Sequence, residues 1–390
     1  MLGAMRFLIW LCLMPAFAVA QELEFDDLAV PSRTQDPPLS HPTPFPVDRD
    51  LLRRTFERDG KLWVTDQGVE RQLTIDARLQ SQLTTVLRAY ETPYAAVVAL
   101  EPNTGRVLAM SEHSQVDPSL RSLSTRALFP AASIFKLVTA AALLVAGISP
   151  DEALCSFGGK RKVSEGQLDD SSKDRRCLTL SRALALSANV IFAKFTARYL
   201  DAERLKSLAR AFRFNVAIPF PVPTEASLAS IPQETFPLAL TGAGFGDIYL
   251  SPLHGAALAA VAANQGRWQA PVLFEGEPSS ASFPEQVIPE AVAAQLQTMM
   301  EETITDGTAR RVFRERGLGI PGAVGKTGSL ADKTPYRDYS WFVGFAPKEN
   351  PRIAVAAVVV NEPRWRIRAT WLGREAMRLF LTKGDVLVAQ

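Results

Sequence analysis

The chain is predicted to adopt an α+β fold: a five-stranded antiparallel sheet flanked by helices, plus a mostly helical subdomain. Three observations predict it. Two apolar, partly β-branched runs, Tyr94–Leu100 and residues 106–110, are separated by Glu101-Pro102-Asn103-Thr104-Gly105, a turn-forming cluster that reads as the bend of a hairpin. Three further strand-like runs, 323–330, 340–346 and 353–360, appear only near the end. Nearly everything between has helical periodicity, so the sheet must be assembled from both ends of the domain.

In chain order, residues 1–20 carry one positive charge at Arg6, an apolar run over 7–14 and a closing Ala18-Val19-Ala20. This pattern is expected of a signal peptide cut before Gln21, with an uncleaved anchor as the alternative. Residues 21–48, with six prolines from Pro31 to Pro46 among Ser, Thr, His and Asp, read as an extended tether. The folded domain, 49–390, opens on short elements at 61–65 and 69–75. Asp76 then caps a helix whose Leu79, Leu83, Val86, Leu87 and Tyr90 recur on one face. Helices are expected over 133–146, 178–199, 201–212, 252–264 and 289–305, and a closing helix over 370–381. No internal repeat is evident.

Composition narrows the function. Hydrophobic residues make up 47% and charged residues 22%, which is ordinary globular usage. Forty-three Lys and Arg against 41 Asp and Glu leave a net charge of +2, too little for a field that would hold a polyanion, so no nucleic-acid partner is expected. The three histidines (His41, His113, His254) form no metal-ligand pair, and the three cysteines contain no C-x-x-C, so neither a metal nor another cofactor is expected. Export would remove Cys12 and leave Cys155 and Cys177 as an even pair in a polar, charged segment. A disulfide between them is expected, worth about 3 kcal/mol by loop entropy, with two free thiols as the alternative.

The chemistry lies in three short motifs. Ser133-Ile134-Phe135-Lys136 sets a hydroxyl and an amine three residues apart at the start of an apolar helix, which is the geometry of a nucleophile beside its base. To accept a proton Lys136 must be neutral, which costs about 4–5 kcal/mol at pH 7 from its free pKa unless burial and a second cation lower it. Lys326, in Gly325-Lys326-Thr327-Gly328-Ser329, is the candidate cation, and Thr327 beside it can grip a carboxylate. Ser187-Ala188-Asn189 adds a hydroxyl to relay the proton and an amide to hold a peptide bond. Each motif occurs once, in the order S-x-x-K, S-x-N, K-T-G, the first opening a helix and the last on a strand.

With these motifs the sequence resembles the transpeptidase domain of penicillin-binding proteins over about residues 70–382. The likeness extends to Leu73-Thr74-Ile75-Asp76, to the stretch from Glu101 to Met110, and to Pro130-Ala131-Ala132 ahead of the serine. It continues in Ser251-Pro252-Leu253, Ala263-Asn264-Gln265-Gly266, Asp306-Gly307-Thr308-Ala309 and the stretch from Trp341 to Pro347. The resemblance implies an active site between sheet and helical subdomain. Ser133 would be acylated by a peptidoglycan stem peptide ending in D-Ala-D-Ala, with Lys136 as base and Ser187 as relay. Asn189 would contact the substrate amide, Lys326 and Thr327 its carboxylate, and Gly328 would lie in the same substrate-binding strand. Backbone N–H groups of Ser133 and Ser329 would form the oxyanion hole. β-Lactams would acylate the same serine, and the partners implied are cell-wall synthesis proteins at the periplasmic or extracytoplasmic face of the membrane. Two residues depart from the family pattern: Ala132 replaces a glycine and Ser329 a threonine. With so few residues ahead of residue 70, neither a glycosyltransferase domain nor a full pedestal domain is expected there.

Competing readings are weaker. Gly325-Lys326-Thr327 lacks the glycine at 320 that a phosphate loop needs, and Gly242-Ala243-Gly244-Phe245-Gly246 has the wrong spacing for a dinucleotide fingerprint and reads as a tight turn near the cleft. His254 reads as a packing or capping residue. A D,D-carboxypeptidase or endopeptidase, a class D-type β-lactamase, and a penicillin-binding sensor or scaffold remain open, since the motifs are common to all of them.

Overall fold

The computed structural model describes residues 50–158, 162–277, 285–315 and 318–382. The expected signal peptide and tether lie outside the described residues. Strands Phe56–Arg58, Lys61–Asp66 and Val69–Asp76 form a small antiparallel sheet that leads into α1 (Ala77–Ala89). Asp76 caps α1 as expected, its carboxylate accepting from the Leu79 N–H at 2.8 Å, and Leu79, Leu83, Val86 and Leu87 are buried.

The main sheet contains β1 (Tyr94–Leu100), β2 (Val107–Ser114), β3 (Val324–Lys333), β4 (Tyr336–Ala346) and β5 (Ile353–Asn361), all antiparallel, in the spatial order β3-β4-β5-β1-β2. The N-terminal hairpin thus pairs with the C-terminal three strands through β5 and β1, the arrangement expected from strand signals at both ends. Gly105 closes the hairpin with φ +73°, a left-handed conformation that favours glycine.

Both faces of this sheet are covered, which explains why β5 reads Ile-Ala-Val-Ala-Ala-Val-Val-Val without polar alternation. Ala354, Ala356, Val358 and Val360 join one apolar cluster, and Ile353, Val355, Ala357 and Val359 the other. On the first face lies the fully buried helix Pro252–Ala263; on the second lie α1 and the closing helix Ala369–Thr382. Two glycines permit the close approach. A Cβ at Gly255 would stand 2.9 Å from the Ala356 Cβ, and one at Gly373 would overlap the Phe342 ring at 2.3 Å.

The helical subdomain departs from the expected boundaries in informative ways. The 133–146 stretch opens with a 3-10 turn, Ala132–Ile134, before the α-helix Lys136–Val145. The 178–199 stretch is a strand, Arg176–Thr179, then two helices, Leu180–Leu186 and Asn189–Tyr199, because Ser187 adopts φ 54°, ψ 45° and breaks the helical path. Cys155 and Cys177 are directly opposite in a two-stranded ribbon and are joined by the disulfide, 22 residues apart in sequence. His254 is fully buried, its Nε2 2.6 Å from the Phe212 carbonyl oxygen and its ring against Phe214 and Trp268, so it is a packing residue. Among the described residues no helix is long and apolar enough to cross a membrane.

Candidate active site

The turn bearing Ser133 is gripped from three sides. The short strand Phe129–Pro130 pairs with Ile248–Leu250, and the Ala131 N–H donates to the Ile248 carbonyl at 2.8 Å. Trp341, buried in β4, donates its indole N–H to the Pro130 carbonyl at 2.9 Å. On the third side is Gly328 of β3, where an added Cβ would lie 3.2 Å from Ile134 Cγ1 and 3.3 Å from the Ala131 carbonyl oxygen. Glycine in the Lys-Thr-Gly triplet therefore lets the strand backbone pack against the Ser133 turn with no side chain between them. Ala132, immediately before the serine, is held at φ +48°. That is left-handed backbone where a glycine would be unstrained; here an alanine carries a strain of about 1 kcal/mol.

Lys136, completely buried, points its Nζ into a ring of acceptors: Ser133 Oγ at 2.9 Å, Asn189 Oδ1 at 2.9 Å and the Ala243 carbonyl oxygen. Burial, reinforced by the charge of Lys326, holds the Lys136 amine well below its ordinary pKa. Lys326 is equally buried and donates to Ser187 Oγ at 3.0 Å and to the Thr327 carbonyl at 2.6 Å. Burial lowers its pKa to about 7. Desolvation of both amines, with the charge of Lys326 acting on Lys136, is the electrostatic condition for Lys136 to be a neutral base near neutral pH.

Of the residues expected from sequence, Lys136 contacts both Ser133 and Asn189, and Lys326 contacts Ser187. Thr327 is half-buried at the cleft, its hydroxyl 2.5 Å from that of Thr308, and Ser329 is exposed on the same strand. The left-handed kink at Ser187 turns its hydroxyl toward Lys326 while the next helix starts at Asn189, so one backbone irregularity serves both side chains.

Three participants were not apparent from the motifs. Ala243 contributes only a carbonyl, and any residue type has one. Gly244 follows with φ +89°; a Cβ there would collide with the Ala132 carbonyl oxygen at 2.3 Å, so the turn read from the glycine spacing is pressed against the Ser133 turn. Trp341 acts through a contact some 200 residues away in sequence.

Known proteins resemble this chain in sequence and fold. The model of the penicillin-binding protein transpeptidase domain matches residues 95–373. The peptidoglycan D,D-transpeptidase PbpA of Mycobacterium tuberculosis is 30% identical over 308 residues, covering 68% of this chain and 62% of its own length. Stage V sporulation protein D of Bacillus subtilis is 25% identical over 337 residues, covering 77% of this chain and 51% of its own. The chain thus spans somewhat over half the length of these curated relatives. Among solved structures, the crystal structure of penicillin-binding protein A from M. tuberculosis superposes with a TM-score of 0.61 at 25% identity, covering 80% of this chain and 82% of that one. Penicillin-binding protein 2 of Pseudomonas aeruginosa shares the fold with a TM-score of 0.66 at 24% identity, covering 79% of this chain and 78% of that one. By sequence, fold and the extent of the match, this chain belongs to the penicillin-binding protein transpeptidase family.

Proposed function

We propose that the protein is a serine D,D-transpeptidase that acts on peptidoglycan stem peptides ending in D-Ala-D-Ala and is acylated by β-lactams at Ser133. The observation that carries this reading is the 2.9 Å contact between the Ser133 hydroxyl and a buried, pKa-lowered Lys136 amine. Neutral Lys136 takes the Ser133 proton as Oγ attacks the penultimate carbonyl carbon. The developing oxyanion is received by the backbone N–H groups of Ser133 and Ser329. Collapse breaks the C–N bond and expels D-Ala, whose nitrogen takes a proton through Ser187. An oxygen that accepts from the Lys326 amine donates its own hydrogen more readily, which suits Ser187 to that relay. An amine from a neighbouring strand then attacks the ester, forms the cross-link and frees Ser133. Asn189 holds the peptide amide, and Lys326 and Thr327 the terminal carboxylate.

The PbpA relative, named as a peptidoglycan D,D-transpeptidase, supports the substrate class. The disulfide supports an oxidising location and therefore export to the extracytoplasmic face of the membrane, where stem peptides are found. Residues 1–20 as a signal peptide and 21–48 as a tether to the domain 49–390 belong to the same proposal.

The test is labelling followed by turnover. A fluorescent penicillin is expected to attach covalently to the wild type and not to Ser133→Ala. A stem pentapeptide offered with an amine acceptor is expected to give a cross-linked dimer. Release of free D-Ala with no dimer at any acceptor concentration would replace the transpeptidase by a carboxypeptidase. An unlabelled wild type would leave only a scaffold.

A further inference from the structure

The turn after the helix Glu290–Thr305 carries a hydroxyl into the cleft that the mechanism above does not use. Thr308 is exposed, and its Oγ1 lies 2.5 Å from that of Thr327. Its backbone is tightly fixed. The Thr308 N–H donates to the Ala185 carbonyl at 3.1 Å and the Ala309 N–H to the Thr303 carbonyl at 3.1 Å. Between the two elements sits Gly307, where a Cβ would be 2.4 Å from the Ala185 oxygen. Arg182 clamps the same turn, reaching Glu302 Oε1 at 3.0 Å and the Asp306 carbonyl at 3.1 Å. Ala185 is two residues before Ser187, so Thr308 is fixed to the helix that ends in Ser187 while touching the strand of Lys326 and Thr327.

Two hydroxyls at this separation share one hydrogen, with the acceptor's own hydrogen directed outward. On arrival of a planar anion with two acceptor oxygens, both can turn outward, exchanging one neutral hydrogen bond for two charge-assisted ones. The Asp306 carboxylate, which would oppose an anion here, is neutralised by Arg182 at 3.0 Å and Arg310 at 3.4 Å. Lys326, bonded to the Thr327 carbonyl, supplies positive charge behind the pair.

The geometry points to Thr308 as a specificity-determining residue, the second donor of a Thr308–Thr327 pair that selects substrates ending in a free α-carboxylate. This rests on the acylation of Ser133 proposed above. Thr308 supplies no proton to the reaction. It helps hold the end of the ligand, so its loss should weaken binding of carboxylate-bearing substrates and leave the acylation step itself nearly unchanged.

The test uses two stem-peptide thioesters, one ending in a free carboxylate and the other in the corresponding primary amide, with thiol release followed for the wild type, Thr308→Val, Thr308→Ala and Thr308→Ser. The wild type should prefer the carboxylate. Thr308→Val and Thr308→Ala should lose about 10- to 100-fold of that preference, the magnitude of one charge-assisted hydrogen bond, through KM rather than kcat. Thr308→Ser should restore it. An unchanged preference in both truncating variants would overturn the assignment. So would an equal loss on carboxylate and amide, which would mean that Thr308 only supports the fold. A wild type that neither releases thiol nor labels with penicillin overturns the acylation reading and this inference together, whereas a labelled wild type with a Thr308-independent preference overturns this inference alone.

Discussion

The indole N–H of Trp341 donates to the carbonyl of Pro130 at 2.9 Å and so ties the middle of the sheet to the residue three places before Ser133. Trp341 is directly opposite Gly328 in the β3–β4 register, and its Cβ is 3.2 Å from where a Gly328 side chain would begin. One buried side chain therefore touches both the Ser133 turn and the strand that faces it, the first through its ring and the second through its Cβ.

Trp341→Phe should test that coupling. The ring volume is largely kept, but the Pro130 carbonyl loses its donor in a buried place, which costs about 1–3 kcal/mol. The melting temperature should fall by several degrees and the second-order rate of penicillin acylation by roughly tenfold, from a loosened near-attack geometry. Equal acylation rates in a variant shown to be destabilised would mean that the indole supports the fold without positioning the serine.

The two amines should shape the pH profile of acylation. As the proposed base, Lys136 would act only when neutral, so acidification is expected to remove the rate as that amine takes a proton. In its proposed role Lys326 would help hold the carboxylate and keep the proton off Lys136 only when charged, and with a pKa of about 7 it loses that charge as the pH rises. The expected profile of kcat/KM is a bell that falls on its alkaline side from near neutrality in the free enzyme; its two limbs are those of the coupled pair. Lys326→Arg keeps the cation at all accessible pH. Stopped-flow acylation of that variant should show the acid limb without the alkaline one, and persistence of the alkaline limb would exclude Lys326 as its source.

The disulfide should matter to the helix that carries Asn189. Lys194, fully buried on that helix, donates to the Cys155 carbonyl at 2.8 Å and contacts the Asp174 carboxylate at 3.3 Å, within the loop that the Cys155–Cys177 bond closes. A paired Cys155→Ser, Cys177→Ser variant should lose about 3 kcal/mol of stability by loop entropy alone. Lys194→Met should add to the loss, because the Asp174 carboxylate would be left without its buried partner. Denaturant unfolding under oxidising and reducing conditions measures both, and an unfolding midpoint unaffected by reduction would show that the ribbon is held without the bond.

Much of the architecture was legible along the chain because it rests on local patterns. Asp76 and the apolar face of α1, the Glu101–Gly105 turn and the apolar runs of β1 and β5 are all signals within one element. The three motifs were legible for a related reason: acylation chemistry needs a hydroxyl beside an amine, and S-x-x-K supplies both within a single turn. The elements that escaped were short. Phe129–Pro130 and Ile248–Leu250 have two or three residues each and no periodicity to detect, and Thr235–Gly242 is a helix on an apolar background. The kink at Ser187 leaves no compositional trace, since serine is common in helices and caps alike.

Residue types thus determined that a hydroxyl beside an amine, a second amine and a further hydroxyl were available, and hydrophobic pattern marked the longer strands and helices. Only the tertiary structure decided that Lys136 would be dry, that its third acceptor would be the carbonyl of Ala243, and that Thr308 would meet Thr327. Burial, backbone acceptors and contacts between distant segments are properties of packing, and packing depends on how all the segments fit together rather than on any one stretch of chain.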